Sequence, residues 1–541
     1  MVYNSPFGDV ECFFYGNIVS FMRGSKHVSG DQIDKEIFVN AQDGKVQTAR
    51  QIFDLSGRLT SLLQKKYRVN YDDVVCTFTP NHINLTAMIY GILGLGAVVS
   101  PANVAYVAKE LHHQLNVSGS SVVVTVPQLR KVVQEACDQG SLSVRHILYL
   151  DDLVDEAQQY QVQLPVELPD EVARTKDAFY CFSSGTSGVP KGVMTTHFNI
   201  TSNIQQSEKA AQHAGQSLGD RVAIGFLPMS HMYGLMRIVL AGPYFGGKCV
   251  IMEKFDFALL LKCVVKYNIE ALPVVPPIVV LLAKHPLVDK YPVKGIIQDL
   301  HCGAAPLSDS VIEAVTKRLG CDIKQGYGLT ETSPVCHVAS YDPENYNKDS
   351  VGWLAPSVQA RIVDLEGNDV PQGERGELWM KGPNIMKGYL NNPEATAEVF
   401  TTDGWFKSGD VAVIDETGQF YIVDRVKELI KSNGFQVAPA ELEAILLSHP
   451  KVSDAAVIGH LIKEEATEYP RAFVCLTDSK TSPLEIKNWF DTKVARHKRL
   501  WGGIAVLDAI PKSPSGKILR KELRTSSPAN VHGYPKAMAK L

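Results

Sequence analysis

From about residue 50 to residue 350, short β-rich runs alternate with amphipathic helical stretches, and this alternation limits the chain to few architectures. Strand-like runs occupy 121–126, 146–150, 179–182, 222–226, 248–252 and 299–302, and helical patterns lie between them at 51–65, 255–267 and 308–319. Strand and helix in alternation predict an α/β unit with mostly parallel sheets. Past Val351 the texture becomes short strands with Gly and Pro turns, such as 376–381 and 420–423. That predicts a β-rich subdomain closing a large N-terminal α/β domain. A charged helix-and-strand region follows Asp424-Arg425 and ends near Lys521. We place the boundary there, giving a large domain over 1–424 and a small α+β C-terminal domain over 425–541. The stretch from Thr525 to Leu541 lacks periodicity and is expected to be a flexible tail.

Composition removes several classes. With 541 residues, 45% of them hydrophobic and 21% charged, the chain can bury sizeable cores and is not intrinsically disordered. A net charge of −4 gives no basic field for nucleic acid, so an acidic substrate must be held by local charges. Ten cysteines without a C-x-x-C pair read as free thiols. Asp9 and Glu11 precede Phe13-Phe14, the wrong charge order for a secretory signal, so the sequons at Asn84, Asn116 and Asn199 are chance matches. The uncharged stretch 77–108 resembles a membrane span only at first sight. Pro80, Asn81, His82, Asn84 and Pro101 interrupt it, and it reads as a buried helix over 85–95 and a strand over 97–100. His112 and His113 are adjacent, would point apart on a helix, and so form no metal site.

The strongest local signal is Tyr180-Cys-Phe-Ser-Ser-Gly-Thr-Ser-Gly-Val-Pro-Lys-Gly192. An apolar strand runs straight into hydroxyls, glycines and one lysine. Glycines let backbone N–H groups approach phosphate oxygens, hydroxyls add donors, and Lys191 adds charge. The Walker spacing is absent.

This string resembles the signature loop of the adenylate-forming superfamily: acyl-CoA synthetases, 4-coumarate–CoA ligases and firefly-type luciferases. Further matches follow in the family's order. Leu227-Pro-Met-Ser-His-Met-Tyr233 resembles the gating-histidine segment, with His231. Gly303-Ala304-Ala305 and Gln325-Gly326-Tyr327-Gly328-Leu329-Thr330-Glu331 resemble the adenine-binding strands and turn. Trp405 to Asp410 resembles the ribose segment, Asp424 to Lys431 the hinge, and Pro514-Ser515-Gly516-Lys517 the catalytic-lysine loop. The matches run from about residue 50 to 524. The resemblance implies that ATP, Mg²⁺ and coenzyme A serve a carboxylic acid substrate. It implies that Ser183, Ser184, Gly185, Thr186, Ser187 and Lys191 hold the leaving phosphates. Thr330 would contact the α-phosphate and Glu331 would hold Mg²⁺. Asp410 would accept from the ribose hydroxyls, supported by Arg425, and Lys517 would neutralise charge at the reacting phosphorus. Each has a plain competitor, such as an Asx turn for Asp410 or a solvated lysine for Lys517; only their joint order favours the chemical reading.

The same resemblance makes the C-terminal domain mobile. Lys427 would lie at the hinge, Lys431 would meet the adenylate in thioester formation, and Gly434 would begin the wall of the pantetheine tunnel. Asn433 replaces a lysine of the plant ligases, and Lys254 matches another CoA-contacting lysine that could compensate. Met232, Tyr233, Val274, Val275, Gly303, Gly328, Pro334 and Val335 match the acyl pocket. They are mostly apolar, with Tyr233 as polar handle and no ionisable partner for a second acid group. Medium-chain fatty acids and aryl acids such as phenylpropenoates both fit. The terminal Ala539-Lys540-Leu541 resembles the S-K-L address read by the peroxisomal import receptor, so a peroxisomal location is expected, with the cytoplasm as alternative. The expected activity is AMP-forming carboxylate–CoA ligation. The rivals are a luciferase-like oxygenase acting on an acyl-adenylate and an inactive nucleotide-binding scaffold.

Overall fold

Helical crossovers join parallel strands, and the Ala49–Lys65 helix shows how local chemistry starts one. Thr48 caps it, accepting from the Gln51 backbone while the Gln51 side chain reaches back to Thr48. The capping box therefore begins the helix two residues before its apolar periodicity. Conversely, Asp256 caps Phe257–Tyr267 by accepting from Leu259 N at 2.7 Å, which starts that helix later than its apolar pattern suggests. The computed structural model describes residues 1–533 except 184–189, 216–217, 220, 305–306, 308, 340–343, 346, 433–434, 463–466, 479–480, 514–515, 527 and 529.

Two seven-stranded sheets form the α/β part. In one, His146–Tyr149, Val122–Thr125, Val74–Phe78, Val98–Pro101 and Asp177–Ser183 are parallel, and the antiparallel Lys191–Thr196 and Gly388–Tyr389 close one edge. In the other, Asp322–Gln325, Asp299–Cys302, Ala271–Val274, Ala223–Gly225, Cys249–Ile251 and Glu36–Asn40 are parallel. One continuous apolar core serves both sheets. The Leu85–Gly94 helix is buried along its whole length, and among the described residues no helix is long and apolar enough to cross a membrane. Glu36–Asn40 extends the α/β pattern before residue 50, where sequence periodicity did not reveal it.

The β-rich subdomain is an antiparallel sheet of Gln359–Val363, Gly376–Lys381, Phe406–Ile414 and Phe420–Arg425, with Tyr3–Asn4 added at its edge. It has a core of its own. The smaller C-terminal domain packs Pro439–Leu447 and Pro483–Asp491 around a sheet of Val452–Ile462, Thr467–Leu476, Ile504–Val506 and Val531–His532. The last strand corrects the expected tail: Val531–His532 pairs with Ile504 and Ala505. A two-residue edge strand needs only backbone pairing and leaves no periodicity to read. Arg520 ties this domain together, donating to Glu428 Oε2 at 2.8 Å, to both Glu443 carboxylate oxygens at 2.7 Å and to the Val457 carbonyl at 3.3 Å.

All ten cysteines are free, and all but Cys12 and Cys137 are buried. His112 donates to Ala136 O at 2.8 Å and His113 to Pro190 O at 3.0 Å, so the two rings do point apart.

Candidate active site

Ser183 and Lys191 face each other across the antiparallel pair that ends the first sheet, with 184–189 between them. Ser184, Gly185, Thr186 and Ser187 lie outside the described residues, as do Ala305, Asn433, Gly434, Pro514, Ser515 and the terminal tripeptide. Ser183 Oγ donates to Glu331 Oε1 at 2.9 Å, and the Tyr389 hydroxyl donates to the same oxygen at 3.0 Å. Glu331 Oε2 has no hydrogen-bond partner among the described residues. Lys191 Nζ lies 4.9 Å from the centroid of the Tyr389 ring. Tyr389 therefore links the lysine to the carboxylate. It sits on the edge strand beside Val193, far along the chain from either, and no sequence motif marks it. Thr330 opens the short Thr330–Thr332 turn beside Glu331, and its hydroxyl is without a partner among the described residues.

Asp410 and Arg425 are direct cross-strand partners. Arg425 Nε is 3.1 Å from Asp410 Oδ1, and the Tyr327 hydroxyl donates to Oδ2 at 2.5 Å. The Ser408-Gly409-Asp410 turn is held by Ser408 Oγ accepting from Asp410 N, so the Asp410 carboxylate does not shape its own turn. Burial raises the Asp410 pKa, against the opposing pull of Arg425, Tyr327 and Lys517.

Lys517 reaches this cluster from the C-terminal domain. Burial and the Arg425 charge hold its pKa below the ordinary lysine value, while Glu331, Asp410 and Glu428 oppose them. Its loop is closed by Lys517 N donating to Ser513 Oγ at 3.2 Å and Ser513 N to Lys517 O at 2.8 Å. Gly516, at φ +83°, lies against the large domain: a Cβ there would stand 3.0 Å from Pro277 Cδ and 3.7 Å from Val275 Cβ. A side chain at this position would push the loop off its seat. His231 caps the following helical turn through Nδ1, which accepts from Tyr233 N at 3.3 Å. Burial and Lys517 lower its pKa to about 4, leaving a neutral ring.

The pocket positions gather beside these groups. Met232 and Val275 are buried. Gly303 N donates to Val274 O at 3.3 Å, and a Cβ at Gly303 would lie 3.5 Å from Tyr233 Cε1. Tyr233 in turn donates to His301 O at 2.9 Å. Gly328 packs so closely on Pro334 O that a Cβ would come within 2.0 Å of it, and Val335 is held at both backbone atoms by the Asn203 amide. Gln325 has a supporting role: its amide accepts from Leu307 N at 3.1 Å and donates to Lys348 O at 2.9 Å. Gly326 N donates to Cys302 O at 2.9 Å. Ala304 and Ser333 hold φ values of +74° and +65°, backbone strain of the kind that surrounding structure must impose.

Three expected lysines stand apart. Lys254, Lys427 and Lys431 have exposed side chains and are not among the main charges acting on Asp410 or Lys517. The Lys431 backbone is fixed instead, its N–H donating to Glu468 Oε2 at 2.9 Å and its carbonyl accepting from Thr467 Oγ1 at 3.0 Å.

The comparisons with known proteins agree with this arrangement. An AMP-binding enzyme model matches residues 25–390, and the AMP-binding enzyme C-terminal domain matches 441–517. The chain is 36% identical over 501 residues to 4-coumarate–CoA ligase 1 of Petroselinum crispum, covering 91% of both chains. It is 36% identical over 535 residues to a probable 4-coumarate–CoA ligase 2 of Dictyostelium discoideum, covering 94% of this chain and 95% of the relative. Among solved structures, ATP-bound MatB from Rhodopseudomonas palustris superposes with a TM-score of 0.84 at 25% identity, covering 94% of this chain and 98% of that one. The apo form of that same protein gives a TM-score of 0.73 over the same coverage. Both halves of the chain, and the order of the motifs within them, lead to one conclusion: it belongs to the AMP-binding enzyme family.

Proposed function

We propose that this protein is an AMP-forming acid–thiol ligase that converts a carboxylic acid and coenzyme A to a thioester. The observation that carries this reading is the charge cluster in which Lys517, from the small domain, meets Asp410 and Glu331 of the large one, with Arg425 at the boundary between them. A substrate carboxylate oxygen attacks the α-phosphorus of ATP, the new O–P bond forms, and the bond to the β-phosphate breaks to release pyrophosphate. Two anions must meet, so charge neutralisation and positioning lower the barrier. Lys517 stands where it can neutralise the reacting oxygens, and Lys191 and the unpartnered Thr330 hydroxyl lie on the phosphate side. Asp410 has acceptor capacity left after Tyr327 and Arg425, enough for ribose hydroxyls. In the second step the CoA thiolate attacks the acyl carbon and AMP leaves. Lys431, on a hairpin of the same domain as Lys517, is the group we assign to that step.

Glu331 suits a hard divalent cation. Its Oε2 is open, it is the nearest carboxylate to Ser183, and no His/Cys/Asp/Glu cluster among the described residues competes with it. Mg²⁺ would supply charge neutralisation on the leaving phosphates there. We assign the pivot between the two half-reactions to the segment 424–431 around Lys427; at its start Asp424 Oδ2 accepts from Ala440 N and Arg425 faces Asp410. A panel of carboxylic acids tested for release of AMP and pyrophosphate, with and without CoA, decides the reading. CoA-dependent thioester formation with little oxygen uptake is expected, and oxygen uptake without thioester would overturn it. Separately, the terminal Ala-Lys-Leu supports import into peroxisomes by the receptor that reads such tripeptides. A fluorescent fusion ending in those residues should be punctate in cells, and a diffuse fusion would return the protein to the cytoplasm.

A further inference from the structure

Lys191 and Glu331 carry opposite charges and both touch the side chain of Tyr389, yet no ion pair joins them among the described residues. The ammonium lies over the ring, 4.9 Å from its centroid. The carboxylate takes the hydroxyl at 3.0 Å on Oε1, the oxygen that also accepts from Ser183 Oγ at 2.9 Å. Glu331 and Tyr389 are both buried. A buried carboxylate needs donors, and here two neutral hydroxyls supply them where a nearby ammonium could have done so.

Backbone bonds hold the tyrosine in place. Met386 N donates to Glu331 O at 2.8 Å, Lys387 N to Met194 O at 3.0 Å, and Leu390 N to Gly192 O at 2.8 Å. Tyr389 itself pairs with Val193, and its N–H donates to Thr396 Oγ1 at 2.9 Å. The segment 386–390 is thus tied both to the Glu331 turn and to the strand that begins at Lys191. Its tyrosine keeps one position relative to the two charges.

The charges gain from being kept apart. An ammonium paired with the carboxylate would have less charge to offer phosphate oxygens, and the carboxylate would have less to offer a cation. An aromatic face attracts an ammonium through its quadrupole and leaves the net charge in place. We propose that Tyr389 is a positioning residue of the phosphate site: its ring holds Lys191, its hydroxyl occupies Glu331 Oε1, and the two charges stay separate, one for the triphosphate and one for the divalent cation. The inference rests on the ligase reading above, which puts both groups on the phosphate side.

The test is calorimetric titration of the full-length enzyme with AMP and with α,β-methylene-ATP, whose bridging carbon blocks cleavage at the reacting bond. Each titration is run in Mg²⁺ and in EDTA. AMP lacks the phosphates that Lys191 would meet, so it reports whether the nucleoside site is intact. Tyr389→Phe keeps the ring but frees Oε1 for the lysine. It is expected to weaken analogue binding in EDTA by about five- to tenfold, the scale of one charged contact, with AMP affinity within about twofold of wild type. The Mg²⁺ concentration for half-maximal analogue binding should rise by a similar factor of about five. In EDTA the loss should vanish once Lys191 is replaced, so Lys191→Met and the double variant should bind the analogue alike. An unchanged analogue-to-AMP ratio in Tyr389→Phe, an equal loss for both nucleotides in a folded variant, or a loss that persists in full beside Lys191→Met overturns the proposal. Should Tyr389→Phe prove unfolded, Tyr389→Met, which fills the space without ring or hydroxyl, carries the same decision through the same ratio. Failure of the ligase reading looks different, since thioester would then be missing from the acid panel while these binding ratios stand.

Discussion

Lys517 and Lys431 belong to the same small domain, yet one is held inside the molecule and the other stands in water. Lys517 is half-buried, close enough to Glu331 and Asp410 of the large domain and to Arg425 at the boundary for their charges to act on it, and Gly516 beside it is seated on Val275 and Pro277. Lys431 has an exposed side chain, and only its backbone is tied, to Glu468 and Thr467. An ammonium gives up hydration only where opposite charge replaces it, so Lys517 is poised for chemistry in this arrangement and Lys431 is not. On the proposed reading, the contrast is that of one domain presenting two different faces to two reactions.

The largest effect should come from removing the buried member. Lys517→Ala is expected to lower acid-dependent ATP–pyrophosphate exchange by roughly 10²–10³-fold, the scale for losing one transition-state charge donor. Lys431→Ala should leave that exchange within about twofold, as exposed substitutions do. Equal losses in both variants would break the contrast.

The next largest concerns the group that Lys517 faces. Asp410→Ala should weaken ATP binding by about 1–3 kcal/mol, because Tyr327 and Arg425 lose their acceptor along with the ribose. It should also abolish discrimination between ATP and its 2′-deoxy or 3′-deoxy forms. Retained discrimination in a folded variant would make Asp410 a clamp for Arg425 and nothing more. A smaller effect is expected where Lys431 acts: thioester formation from preformed adenylate should slow by about fivefold in Lys431→Ala, the scale of an exposed charge contact near 1 kcal/mol.

The smallest effect sharpens the comparison through pH. If Lys517 acts as proposed, its protonated form is the active one, and its pKa lies below the ordinary lysine value because of burial and Arg425. Adenylation is therefore complete below that lowered pKa and declines as pH rises through it, earlier than an exposed lysine would allow. The alkaline limb of pyrophosphate exchange measured against that of thioester formation from adenylate checks this. Coincident limbs would mean that Lys517 does not set the first one.

The middle of the fold was legible because its strands are apolar runs bounded by turns; Asp299–Cys302 and Gly376–Lys381 fall where the sequence puts them. Glu36–Asn40 was not: its parallel partner Cys249–Ile251 lies about two hundred residues away, and its hairpin partner Val46–Thr48 is only three residues long. Ser183, Glu331, Asp410 and Lys517 are found from their motifs, and the structure brings the last three together. Tyr389 escaped, because a tyrosine on a two-residue edge strand has no pattern around it.

Arg520 gives the C-terminal domain a mechanical property. It stands three residues beyond Lys517 and grips Glu428, in the pivot segment, together with Glu443 on the neighbouring helix and Val457 on the central strand. On the proposed two-step reading, the domain tied together by Arg520 turns as one body, so a rotation that withdraws Lys517 also carries the Lys431 hairpin, and the timing of the two lysines follows from that one rotation with no signal passed between them.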